Sequence, residues 1–128
     1  MTAALTPELA IAYVRELSAD VRAVVVLDAE GARLAGSEAL QASARALLEA
    51  LGEAADAALR LPGGVVVATR SADCALVAVA GPLALVGPTL LDARAAVGCT
   101  APTSGSDAPS AAVRTAGEAA VCAVRHLS

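Results

Sequence analysis

The stretch "VRAVVVLDAEGARLAGSEAL", residues 21–40, decides how this chain folds. Val21 to Leu27 is rich in Val, whose β-branched side chain fits a pleated surface and loses rotamer freedom in a helix, so a strand is expected there. Asp28-Ala29-Glu30-Gly31 puts Asp first and Gly last, as a type I turn prefers. Ala32 to Gly36 returns as a second strand and closes a hairpin. Ser37 then offers a helix cap, and Glu38 places an acid at the positive end of the helix dipole.

Outward from this stretch, both flanks carry strong local signals. On the N-terminal side, Thr6-Pro7-Glu8 combines a hydroxyl cap, Pro at the first helical position and an acid in the first turn. Leu9, Tyr13 and Leu17 follow at steps of four, which predicts an amphipathic helix over residues 7–18. On the C-terminal side, Leu40, Ala44, Leu47, Leu48, Leu51, Ala55, Ala58 and Leu59 share one helical face. Glu38, Gln41, Arg45, Glu49, Glu53, Asp56 and Arg60 share the other. That periodicity predicts one long helix up to the break at Pro62-Gly63-Gly64. Strands are expected at Val65–Arg70 and Cys74–Ala80, with Gly81-Pro82 turning the chain into a fifth strand from Leu83. "TAPTSGSDAPS", residues 100–110, has linker composition. A last helix carries Val113, Ala116, Ala120, Val124 and Leu127 on one face, with Arg114 and Glu118 one turn apart.

The expected organisation is a domain over residues 1–98, a linker over 99–109, and a C-terminal helix over 110–128 that packs on the domain or on a partner subunit. The element order is α-β-β-α-β-β-β-α. The fold class is α+β: a five-stranded antiparallel sheet flanked by helices. Its strands are apolar almost throughout rather than alternating, so both sheet faces need cover, from helices or from another copy of the chain.

Composition excludes several functions. Hydrophobic residues make up 57% of the 128, the net charge is −4, and Tyr13 is the sole aromatic residue. Nucleic-acid binding needs a basic footprint and, for single strands, aromatic stacking faces; neither is present. "CALVAVAGPLALVGPTLL", residues 74–91, is uncharged and just long enough to span a membrane, but two Gly-Pro pairs interrupt it, so paired strands explain it better. The opening "MTAALTPELA" lacks the basic and apolar regions of a signal peptide. Cys74, Cys99 and Cys122 are odd in number and form no close pair, which fits a reducing cytoplasm and small buried thiols.

Chemistry is hard to find. His126 is the lone histidine, so neither a zinc site nor a Cys–His nucleophile is expected. There is no Lys, hence no phosphate loop of the Walker type. Glu49, Glu53 and Asp56 fall on one polar helix face and read as solvated acids or as a docking surface for a basic partner. Together with Leu40, Leu47 and Leu51 they form the candidate interaction surface. No cofactor and no metal are expected.

With its hairpin, D-x-x-G turn, amphipathic helix and the run "GGVVVATRSADCALVAVAGPLALV", the chain over residues 7–90 resembles the roadblock family, the roadblock-type dynein light chains and their bacterial relatives. It departs from them where Ala19-Asp20-Val21 replaces the glycine that usually precedes the first strand. The resemblance implies a roadblock/profilin-like sandwich and a two-fold homodimer, with sheets joined edge to edge and the long second helices packed together. It further implies a non-catalytic, cytoplasmic regulatory or scaffold module for a small Ras-like GTPase or a sensor-kinase assembly. The alternative reading is a small-molecule sensor domain of profilin-like or PAS-like architecture, with a pocket between sheet and helix.

Overall fold

The structure, a computed structural model, describes residues 6–17, 20–51, 56–61, 63–70, 74–82, 84, 89, 93, 95 and 111–125. The elements run α1 (Pro7–Leu17), β1 (Val21–Asp28), β2 (Arg33–Gly36), α2 (Glu38–Leu51), β3 (Asp56–Leu61), β4 (Gly64–Arg70), β5 (Cys74–Ala80) and α3 (Ala111–Arg125). The order α-β-β-α-β-β-β-α and the five-stranded antiparallel sheet are as the sequence predicts.

Local signals set the element starts. The Leu9 amide donates to Thr6 Oγ1 at 3.3 Å and the Ala10 amide to the Thr6 carbonyl at 2.8 Å, so Thr6 caps α1 with side chain and backbone together. In the hairpin the Gly31 amide donates to the Asp28 carbonyl at 3.0 Å. Asp28 Oδ1 accepts from the amides of Glu30 at 2.8 Å and Ala32 at 2.9 Å. An aspartate that satisfies two turn amides makes this reversal a property of its own few residues.

The sheet order is β2-β1-β5-β4-β3, which places β5 at the centre between β1 and β4. Alternation along the strands sorts the side chains into two cores. Ala23, Val25 and Leu27 of β1 join Val66, Ala68, Val77 and Val79 beneath α2 and α3. Val24 and Val26 join Val65, Val67, Leu76 and Ala78 in a second core with Ala10 and Val14 of α1, which packs on β1 and β2, and with Ala84 and Ala93. A register shift between Val21 and Ala23 turns Val21 to the α1 side although the two residues differ by two. The chain's own helices thus cover both faces of its apolar strands.

Two expectations about the sheet are corrected. The second helix ends at Leu51 instead of running to Pro62, and Asp56–Leu61 is a strand in unbroken register with β4. The run Ala57-Ala58-Leu59-Arg60-Leu61 satisfies a two-residue period as well as a helical one, and the unpaired side of β4 selects the strand. Leu59 and Leu61 then join the α2–α3 core, while Arg60 turns to the other face and donates to the carbonyls of Pro82 and Ala84, each at 2.9 Å. The fifth strand of the described sheet is therefore β3. Both sides of β5 are occupied, by β1 and β4. Leu83 itself lies outside the described residues, as do the expected linker and His126.

Candidate interaction surface

The structure separates the residues that the sequence grouped into one surface. Leu40 and Leu47 are 0% exposed and lie in the core between the sheet, α2 and α3. They are covered by this chain's own C-terminal helix, which leaves them no surface to present. Leu51 is half-buried against the same core, and Glu49 is exposed on the outer side of α2. Asp56 is not on α2; it opens β3, opposite Thr69 of β4. Glu53 lies outside the described residues. The helical wheel drawn from Leu40 to Leu59 could not separate these positions, because it carried one helix through a strand.

Three surface features come from tertiary structure. The first is the sheet's outer edge at β3. This strand pairs with β4 over all six of its residues without a register shift, and among the described residues no strand lies on its other side. Such an edge presents a row of backbone donors and acceptors ready to pair with another chain. The opposite edge, β2, is blunted: it has four residues, a register shift against β1, and α1 packed on it. Arg33 also donates to the Gly36 carbonyl at 3.1 Å, which occupies one acceptor of that edge.

The second feature is apolar. Among the described residues, the exposed large hydrophobic side chains are Leu9 and Tyr13 of α1 and Leu34 of β2, on the β2 side of the molecule.

The third is a cleft of about 420 Å³ at the end of the sheet, lined by the hairpin turn from Asp28 to Gly31, by Arg45, Leu48 and Glu49 of α2, and by Arg70, Cys74 and Ala75. Arg70 Nη2 donates to the Leu48 carbonyl at 2.8 Å and so satisfies a carbonyl in the last turn of α2. The cleft mixes guanidinium, carboxylate and thiol groups at the rim of the sheet. Among the described residues, no three His, Cys, Asp or Glu side chains gather as a metal site requires, and no helix is long and apolar enough to cross a membrane. The buried Thr69 hydroxyl has no hydrogen-bond partner among the described residues, and it is not part of the cleft lining.

No family model and no curated protein matches the chain. Solved structures do. A Roadblock/LC7 domain from Streptomyces avermitilis superposes with a TM-score of 0.61 at 13% identity, covering 75% of this chain and 93% of that one. MglB, solved with a tetrameric arrangement, superposes with a TM-score of 0.52 at 19% identity, covering 93% of this chain and 96% of the other. At such identities the likeness speaks for architecture: the chain has the roadblock fold.

Proposed function

We propose that this roadblock-fold chain is a non-catalytic regulatory or scaffold module that works in the cytoplasm as a homodimer and engages a small Ras-like GTPase or a signalling kinase assembly. One observation carries the reading. Among the described residues, the chain itself covers both faces of the sheet, and one regular strand edge, β3, has no strand beside it. A two-fold axis beside β3 pairs that edge with itself, so a single surface suffices for both subunits. The tetrameric arrangement of MglB supports a surface that self-associates. The exposed Leu9, Tyr13 and Leu34, on the far side from β3, then stay available to a second kind of partner.

Sedimentation velocity from 1 to 100 µM tests the first half, with a concentration-dependent dimer expected. Single-turnover GTP hydrolysis and nucleotide release by GTPases from the same genome, with and without the protein, tests the second. A monomer throughout the range, together with unchanged rates for every GTPase and kinase tried, refutes the proposal. The sensor reading rests on the cleft at Arg45 and Arg70, and thermal-shift screening against small charged metabolites tests it.

A further inference from the structure

We infer that in the homodimer the C-terminal helices α3, and not the second helices, face each other across the two-fold axis, and that Arg114 and Glu118 exchange their ion pairs between subunits. The inference rests on the β3-edge dimer proposed above. It departs from the family expectation of paired second helices for a geometric reason. In this chain α2 packs on β1, three strands in from the β3 edge, whereas α3 packs on β3, β4 and β5. The helix next to the open edge is therefore α3.

Its seating is close. A Cβ on Gly117 would lie 2.9 Å from Leu59 Cδ1 and 3.0 Å from Leu61 Cδ1, so this part of α3 rests on the side chains of β3. A Cβ on Gly64 would lie 3.5 Å from a methyl of Val121, which identifies the side of α3 that Gly117 and Val121 share as the side toward β3 and β4. At 3.6 residues per turn, Arg114 and Glu118 follow roughly 60° and 100° further round from Gly117, on the side away from the buried Ala116 and Ala120. Both are exposed, at 56% and 58%.

Spacing fits the residue types. With α3 centred near β4, edge pairing leaves about three strand spacings, roughly 14 Å, between the two α3 axes. Helices in direct contact lie about 8–10 Å apart. The remaining gap suits long side chains and is too wide for Ala or Ser. Within one chain Arg114 Nε stands 4.0 Å from Glu118 Oε1, an exposed pair that contributes little alone. A two-fold axis runs the facing helices antiparallel, so Arg114 of one subunit meets Glu118 of the other, twice, in a narrower and drier space.

The test uses the full chain in three forms: Arg114→Glu, Glu118→Arg and an equimolar mixture of the two. Each variant alone brings four like charges to the axis, so its dimer should be weakened at least tenfold at low ionic strength, less so in high salt. The mixture should restore a heterodimer to within about threefold of the wild-type dissociation constant, read by sedimentation and by native mass spectrometry. Both variants lack the pair inside a chain, so restoration can only come from pairing between chains. The doubly exchanged variant, which remakes every pair, should dimerise like the wild type. If the wild type dimerises and either single variant does so equally well, or the mixture fails to form the heterodimer, the role of α3 is wrong and the edge dimer stands. If the wild type is monomeric, the edge dimer falls and this inference with it.

Discussion

Gly36→Ala should be among the most damaging small substitutions in this chain. Gly36 ends β2 one residue before the cap of α2, and its φ is +98°, a region where a side chain costs about 1–2 kcal/mol. An added Cβ would stand 2.2 Å from the Val24 carbonyl oxygen and 2.8 Å from Val25 Cα, both backbone atoms of a buried strand. The Ile11 methyl at 2.9 Å can move aside, but the carbonyl cannot do so freely. That oxygen accepts the Ser37 amide at 2.9 Å, the bond that ties the start of α2 to β1. Pushing it away forfeits that bond, worth about 1 kcal/mol net. The loss comes to about 3 kcal/mol, a large part of the roughly 5–15 kcal/mol that holds a domain folded. At about 2.1 cal/mol/K of unfolding entropy per residue over 128 residues, this lowers Tm by roughly 11 °C. Urea unfolding followed by circular dichroism should show a lower midpoint with an unchanged slope. Gly117→Ala is the control: its new Cβ meets only Leu methyl tips, and the gain of about 1 kcal/mol in helix propensity opposes the contact. A Gly36→Ala protein within about 0.5 kcal/mol of the wild type, or a Gly117→Ala protein equally damaged, would refute the reasoning.

Other substitutions follow from the same contacts. Leu47→Ala should cost about 2–5 kcal/mol by chemical denaturation, because Leu47 is fully buried between α2, α3 and the sheet; Glu49→Gln on the same helix should stay within about 0.5 kcal/mol. Arg60→Met removes two bonds of 2.9 Å to the Pro82 and Ala84 carbonyls, and should cost about 1.5–3 kcal/mol with faster amide exchange around Ala84 by hydrogen–deuterium mass spectrometry. Asp28→Ala removes the acceptor of two turn amides and should cost about 1–2 kcal/mol in the same denaturation assay, with the hairpin losing exchange protection first.

What the sequence determined by itself is whatever a few adjacent residues can settle. Thr6-Pro7-Glu8 placed the start of α1, the Val-rich run placed β1, and Asp28 with Gly31 set the hairpin, because each signal is satisfied by atoms within one or two turns of chain. The unalternating Val and Ala of β4 and β5 also announced a sheet covered on both sides. The strand at Asp56–Leu61 was not legible, since Ala-Ala-Leu-Arg-Leu satisfies two periods at once and the free side of β4, supplied by residues further along, chooses between them. The candidate surface inherited that ambiguity. Leu40 and Leu47 have the spacing of an exposed docking stripe and of a core stripe alike, and only α3, arriving from some seventy residues downstream, decides that they are core. Which edge stays open is likewise a property of the whole sheet: β3 takes the outer side of β4 because β5 occupies the inner one, and among the described residues no strand follows beyond it, a choice that no local stretch encodes.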